Sequence, residues 1–368
     1  MRSAMLPDPC LPPQPPVWVT APDAPRVVPA AIPSFLVHQA RFHVGNTLWL
    51  TPLLRAIRRF FPGARTTVVG PPVARELFSE NPNVQQVVSY TPLKGREREE
   101  RRRVLDALAG HRIDVALFAF ARRPESRWLA RAMAVAGVPW RINLEYFDPD
   151  LKPGIPSWLT HEGWFAWGTL PSPRMLLQVL DPLLGPERDA WTEEDRRVEL
   201  YVSPEARRRA DGVLAERGFD QGPFAILAPG GRSSLRWPAR RFARLAARLA
   251  ADGLHVLVEG SPGERKLLEA VASGAGPRAM AAADPLDVFA ALLERASLLV
   301  ANDSAPIHLA EAVGTPTVYF AQREKLIHSH PAGDCCRALW ESRPSRITVD
   351  QALAAVRMVT AIPSAGRR

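Results

Sequence analysis

The side chains and turns best suited to hold a phosphate lie in residues 301–320, Ala-Asn-Asp303-Ser304-Ala305-Pro306-Ile-His308-Leu-Ala-Glu-Ala-Val-Gly314-Thr-Pro316-Thr-Val-Tyr-Phe. They follow the apolar run Leu298-Leu299-Val300. A buried parallel strand is therefore expected to end at a small-residue turn and reopen as a helix whose first backbone N–H groups can face an anion. Asp303, Ser304 and His308 then sit where ligands bind in open α/β sheets, outside the carboxyl end of a strand. The same residues also read as an ordinary strand-to-helix connection capped by Asp303 or Ser304. A second cluster, Ala228-Pro229-Gly230-Gly231-Arg232-Ser233-Ser234-Leu235-Arg236-Trp237-Pro238, also trails an apolar run and offers glycines, hydroxyls and a guanidinium. A third, around the loop 39–46, holds His38, Arg41, His43, Gly45, Asn46 and Thr47. His43 is there a candidate proton acceptor by residue type, or a residue that merely orders the loop.

Placing these clusters requires strands that end at them. From Phe35-Leu36-Val37 the chain alternates: a strand, the loop 39–46, a helix near 47–59, the turn Phe61-Pro62-Gly63 and a strand at 66–69. Further strands are expected at 86–90 and 114–119, with helices near 72–79, 96–109 and 125–136. A second block has strands at 224–228, 255–258, 298–301 and 317–320. Its helices fall at 239–251, from Arg265 onward, and at 349–360, and Glu259 opens a turn at 259–264. Such alternation predicts an α/β fold with parallel sheets covered on both faces, here as two Rossmann-like halves joined near 170–220. No G-x-G-x-x-G follows the first strand, which argues against a single dehydrogenase-type domain.

The expected divisions are a proline-rich arm at 1–33, an amino-terminal domain with its linker at 34–200, a carboxyl-terminal domain at 201–345, and a helix and tail at 346–368. The arm holds ten of the 37 prolines and is expected to be extended, largely disordered and outside the fold. Residues 146–170, with Trp158, Trp164 and Trp167, read as a packed irregular connection. In the charged run from Arg96 to Arg103, Glu97 and Glu99 precede Arg101 and Arg103 by four residues, the spacing of a solvated helix face.

At 368 residues, 46% of them apolar, the chain suits two domains at ~150 residues each. No apolar run is long enough to span a bilayer. The start lacks the basic region and unbroken apolar stretch of a secretory signal, so a cytoplasmic protein is expected. Cys10 and the vicinal pair Cys335-Cys336 form neither a disulfide framework nor a spaced metal motif. Net charge is +9, and among the 47 basic residues only Lys94, Lys152, Lys266 and Lys325 are lysines. An arginine surface suits phosphate and carboxylate contacts. It is compatible with nucleotide diphosphates, or with an anionic membrane face and peripheral association. Nucleic acid is set aside, because no recognition motif or aromatic-basic stripe is present.

Three segments together resemble glycosyltransferase family nine, the ADP-heptose:lipopolysaccharide heptosyltransferase group, over most of residues 34–360. The first is Gly45-Asn46-Thr47-Leu-Trp-Leu-Thr51-Pro52-Leu-Leu-Arg55-Ala-Ile-Arg58, with Phe61-Pro62 and Asn81-Pro82-Asn-Val. The second is Ala228-Pro229-Gly230 with Arg236-Trp237-Pro238, and the third Asp303-Ser304 with His308, Gly314 and Pro316. The resemblance implies a bacterial-type GT-B architecture, two Rossmann-like domains facing each other across a cleft. It implies inverting, metal-independent transfer of a sugar such as heptose from a nucleotide-diphosphate donor, ADP-linked by preference. The acceptor would be a hydroxyl of a glycan, a lipid-linked sugar or a small metabolite, with no further cofactor. It places Gly230, Gly231, Ser233, Ser234, Arg236, Glu259, Asp303, Ser304, Ala305 and His308 on the donor. It places His38, Arg41, Gly45 and Thr47 on the acceptor, with His43, Asn46 and Arg236 at the chemistry.

Several positions depart from the family pattern. Many members carry an Asp after Gly as the proposed catalytic base, but Asn46 stands there, and a carboxamide accepts no proton at neutral pH. Another base is needed: His43 and His38 are nearest in sequence, and an acidic residue from elsewhere is the alternative. The phosphate-binding Lys of the K-x-W pattern is Leu235 here, with Arg236 one residue on. Ala305 and Pro306 replace the Gly after Asp-Ser and its successor. Asp148-Pro149-Asp150 is similar to the D-x-D metal motif of another glycosyltransferase fold, but its proline and lack of a preceding strand read as a turn. Two other readings fit the same residues: a catalytically inert GT-B module that binds nucleotide or glycan, for which Asn46 and Leu235 speak, and a sugar-nucleotide epimerase.

Overall fold

Runs of four to seven apolar or alternating residues form thirteen strands among the described residues of the computed structural model, which are 16–29, 31–39, 43–91, 95–146, 154–165, 172–185, 191–231, 236–322, 331 and 335–361. The chain divides into two units, Met1–Val198 and Glu199–Arg368.

The first unit contains β1 (Val17–Thr20), β2 (Ser34–Gln39), β3 (Arg65–Gly70), β4 (Gln86–Ser89), β5 (Val115–Ala119), β6 (Trp140–Tyr146) and β7 (His161–Phe165). They form one sheet in the order β1-β7-β6-β5-β2-β3-β4, parallel except where β1 runs against β7. Counted from β2, the order is third, second, first, fourth, fifth, sixth. That is the doubly wound arrangement, which reverses direction between its first and fourth strands. All five residues of β5 are buried, as expected where helices cover both faces of a parallel sheet. Leu36, Ala116 and Phe118 of the strands pack with Val104, Leu108, Leu129 and Met133 of the flanking helices.

The first unit differs from expectation in three places. Val17–Thr20 is not outside the fold: it pairs with β7 from Val17↔Trp164 to Thr20↔His161, and Trp18 Nε1 donates to Asp181 Oδ2 at 3.3 Å. Gly163 makes room for it, because a Cβ there would stand 3.0 Å from the Trp18 ring and 2.8 Å from Leu144 Cδ2. The arm's prolines are compatible with an edge position, where ladder N–H groups are not all needed. The stretch 146–170 is not wholly irregular, since β7 carries Trp164. The single helix expected near 47–59 is two, Val44–Leu48 and Thr51–Phe60, because Pro52 cannot continue a helix but is well placed in the first turn of a new one.

The second unit contains β8 (Phe224–Ala228), β9 (His255–Glu259), β10 (Ala279–Ala282), β11 (Leu298–Asn302), β12 (Thr317–Gln322) and β13 (Cys336–Glu341). Its all-parallel sheet has the order β10-β9-β8-β11-β12-β13, the same doubly wound pattern, reversing between β8 and β11. The helix Ala239–Ala251 buries Phe242, Leu245, Ala246 and Leu249, the spacing of one apolar helical face. Trp237 stacks on Phe320 with ring centres 4.2 Å apart and donates Nε1 to Ile347 O at 2.8 Å. The helix Val349–Ala361 brings Ala352, Leu353, Val356 and Val359 to this core. Among the described residues no helix is long and apolar enough to cross a membrane.

Candidate functional site

The reversal point of the second unit is where its sequence clusters meet. β8 and β11 lie side by side, with Ala228 opposite Ala301, so the turns that leave them share one edge of the sheet. Asn302, 2% exposed, ties them together. Its Oδ1 accepts from Trp237 N at 2.8 Å, and its Nδ2 donates to Pro229 O at 2.8 Å and to Gly230 O at 3.1 Å. Gly231 adopts φ +107°, a conformation that favours glycine, and a Cβ there would lie 3.5 Å from Ser304 Cβ.

Glu264 draws in a third turn. Together with Ser261 it forms a capping box, while Oε1 accepts from Gly231 N at 3.1 Å and from Arg236 Nη2 at 3.0 Å. Burial pushes its pKa upward, but hydrogen bonds from Ser261 and Gly231 and the Arg236 charge win, so it lies below the usual carboxylate value. Arg236 also donates Nε to Gly231 O at 2.6 Å, and no partner of its Nη1 occurs among the described residues.

The helix Ala305–Val313 starts at this edge. Ser304 occupies its N-cap position, yet its hydroxyl does not cap the first turn and instead donates to Asn302 O at 3.1 Å. Asp303 N donates to Phe320 O at 3.1 Å, and His308 is buried in the second turn. Glu259 closes the arrangement at the end of β9. It is 2% exposed; Oε1 accepts from Asp284 N at 2.8 Å, whereas Oε2 has no partner among the described residues. Burial raises its pKa to about 8; the Asp284 amide and Arg217 oppose the rise, and the Asp284 charge adds to it.

In the first unit, the corresponding reversal point lies between β2 and β5. His43 is exposed at the N-cap of Val44–Leu48, and Thr47 Oγ1 donates to His43 O at 3.1 Å. Gly45, Asn46 and Thr47 are buried. His38 corrects the sequence reading: it is 1% exposed and its Nδ1 bonds Val69 O at 2.7 Å. Desolvation lowers its pKa to about 4, against the Val69 hydrogen bond. An imidazole so weakly basic does not suit proton abstraction near neutrality.

The sequence did not single out the polar cluster beside it. After β5 the chain passes through Phe120 at φ +67°, the one non-glycine residue with positive φ among those described. Ala121 N then donates to Asn143 Oδ1 at 2.9 Å. Arg122 grips Glu162 with Nε–Oε1 at 2.9 Å and Nη2–Oε2 at 2.6 Å, and its guanidinium lies 4.7 Å from the Trp164 ring centre. Asn143 Nδ2 donates to Glu162 Oε1 at 3.0 Å. Among the described residues Glu145, 4% exposed, receives a long bond from Arg122 N at 3.4 Å and one from the Asn143 side chain. Burial raises its pKa to about 7, with the Glu162 charge adding to the rise and hydrogen bonding and Arg123 opposing it.

Of the residues expected on the donor, Gly230, Gly231, Arg236, Asp303, Ser304, Ala305, His308 and Glu259 thus belong to turns and helix starts at one sheet edge. Arg41, Ser233 and Ser234, and likewise Asp148, Asp150 and Trp167, lie outside the described residues. Glu264 was legible in part, through the S-x-x-E pattern of Ser261 and Glu264; Asn302 carried no such signal.

Two doubly wound units in tandem define the GT-B class of fold. Residues 192–348 match glycosyltransferase family 9 (heptosyltransferase). Lipopolysaccharide heptosyltransferase 2 of Escherichia coli strain K12 is 26% identical over 295 residues, covering 75% of this chain and 79% of that protein. The solved glycosyltransferase family 9 protein of Veillonella parvula DSM 2008 superposes with a TM-score of 0.77 at 18% identity, over 92% of this chain and 99% of that one. E. coli heptosyltransferase WaaC with ADP does so with a TM-score of 0.65 at 16% identity, over 88% and 99%. The family match thus falls mainly on the second unit, and over three quarters of its length the chain is similar in sequence to a heptosyltransferase.

Proposed function

We propose that the chain moves a heptose-type sugar from an ADP-linked donor to a hydroxyl of a lipopolysaccharide-type glycan, with inversion and without a metal ion. The observation that carries this is the β8/β11 reversal point, where a glycine turn pinned by Asn302 meets the start of Ala305–Val313, whose N-cap residue Ser304 makes no capping bond. Gly230 and Gly231 let a diphosphate approach the backbone, and the helix start and Arg236 Nη1 offset the negative charge that grows on it as it leaves. Glu259 Oε2 is an open acceptor at the end of the second strand of the doubly wound order, the place from which an acidic side chain takes a ribose hydroxyl. Asp303, Ser304, Ala305 and His308 line the same edge toward the sugar and phosphate.

The choice of ADP and heptose rests on the names of the E. coli relatives, one a lipopolysaccharide heptosyltransferase and one solved with ADP. A net charge of +9 carried almost wholly by arginine supports work in the cytoplasm at an anionic membrane face. Nucleic acid has no part in this reading.

Thermal unfolding with ADP, UDP, GDP or TDP at one concentration tests the donor half. A ligand that binds only the native state raises the midpoint, so ADP is expected to stabilise most. Equal shifts with all four would refute the ADP assignment. No ADP release from ADP-heptose in the presence of heptose-deficient lipopolysaccharide would refute the transfer.

A further inference from the structure

Asn46 leaves the reaction without a carboxylate at the expected place, and His38 is shut into the core. The first unit nevertheless carries two carboxylates at the carboxyl end of its sheet, Glu145 near the end of β6 and Glu162 on the adjacent β7. Their surroundings are unequal. The Arg122 guanidinium gives two bonds to Glu162 and another to Gly154 O at 2.7 Å, and Glu162, fully buried, also receives Asn143 Nδ2. Glu145 is left with the long bond from the Arg122 main chain and the Asn143 amide.

Resting on the transferase reading above, we propose that Glu145 is the general base that takes the proton from the acceptor hydroxyl. Glu162 is neutralised by its arginine, and Glu145, raised to about 7 chiefly by burial, divides between its two forms near neutrality, as a base working there requires. The charged groups facing it are Glu162 from β7 and Arg122 and Arg123 from the turn after β5. That turn is entered through Phe120 at φ +67°, a backbone conformation that costs a bulky residue energy and gathers at functional sites. A purely structural role would be filled better by an amide, because a buried carboxylate with no cationic side chain bonded to it costs stability.

In the step, the hydroxyl proton passes to Glu145 while the acceptor oxygen forms the bond to the anomeric carbon. The bond from that carbon to the diphosphate oxygen breaks, its electron pair leaves on the diphosphate, and protonated Glu145 then returns its proton to water.

Glu145→Gln keeps the shape and removes the titration. Transfer from ADP-heptose to heptose-deficient lipopolysaccharide is expected to fall about 100-fold or more in kcat, with the donor KM and Tm little changed. The wild-type loss of kcat/KM below about pH 7 is expected to vanish with it. Glu162→Gln releases Arg122 to pair with Glu145 and is expected to move that acid limb to lower pH, a shift no packing role would produce. Retention of activity within threefold in Glu145→Gln, with the wild-type pH profile, would overturn the proposal. Carbon-13 NMR of the glutamate carboxyls in the full chain, assigned by loss of the resonance in Glu145→Gln, judges it independently of any substrate. A titration near neutrality supports the base, and one below pH 5 overturns it. Wild-type inactivity with this donor and acceptor would overturn the functional reading, leaving NMR to decide Glu145.

Discussion

Asn302→Ala is the sharpest test of how the donor edge is built. The substitution removes one acceptor and two donor contacts from a side chain 2% exposed: Trp237 N loses its partner, and so do Pro229 O and Gly230 O. Leaving a buried backbone N–H unsatisfied costs about 1–3 kcal/mol, while carbonyls at the rim of a turn can take water and lose about 0.5–1 kcal/mol each. The sum is roughly 2–5 kcal/mol. In a unit of this size each kcal/mol shifts Tm by about 2–4 °C, so thermal unfolding followed by tryptophan fluorescence is expected to drop by about 5–15 °C. The freed glycine turn should also bind ADP at least about tenfold more weakly by calorimetry, the equivalent of about 1.4 kcal/mol. Asn302→Asp sharpens the reasoning. It keeps an acceptor for Trp237 N but turns a carboxylate oxygen toward two carbonyls, and is expected to destabilise as much as Ala. A Tm change under 2 °C with unaltered ADP affinity in both variants would refute the idea that this amide holds the edge together.

Three other outcomes are expected. Glu259 has an ordinary pKa of 4.5 and one of about 8 in the folded state, so the native chain holds a proton that the unfolded chain releases between those values, and its contribution to stability declines as pH rises from 4.5 to 8. Glu259→Gln should flatten that decline by up to about 1.4 kcal/mol per pH unit, read as a variant-minus-wild-type difference in urea unfolding that grows from pH 5 to 8, and should weaken ADP binding. Gly230→Ala puts a Cβ 2.5 Å from Glu264 Oε1 and displaces that carboxylate from Gly231 N and Arg236; donor KM should rise about tenfold or more, whereas Gly263→Ala, with open space around its Cβ, should leave it unchanged. Gly163→Ala drives a methyl against Leu144 and Trp18 and should cost about 1–3 kcal/mol in denaturant unfolding of the first unit, with protease cleavage near Val17–Thr20 as the local readout.

By itself the sequence determined the α/β class, the two-block alternation, and elements such as Phe224–Ala228, Ala239–Ala251 and Leu298–Asn302, because short apolar runs and a 3.6-residue apolar stripe are local signals. It also determined the chemistry-bearing turns, since glycine pairs and Asp-Ser at strand ends announce themselves by residue type. The tertiary structure decided what those turns become. Asn302 is one amide among many until the reversal between β8 and β11 sets it against Pro229 and Gly230, more than seventy residues away in sequence. Asn143, Glu145 and Glu162 fall at polar positions of alternating strands, where a period of two points them to solvent. In a parallel sheet enclosed on both faces those positions are interior, and the Arg122 guanidinium, bonded to Glu162, is what separates Glu162 from Glu145. His38 follows the same rule in the opposite sense, its enclosure removing the basicity its residue type suggested. The docking of Val17–Thr20 on β7 was hidden for a related reason: an edge strand is specified by the partner it meets, here a glycine opposite a tryptophan about 145 residues apart in the chain, and no local pattern records that meeting.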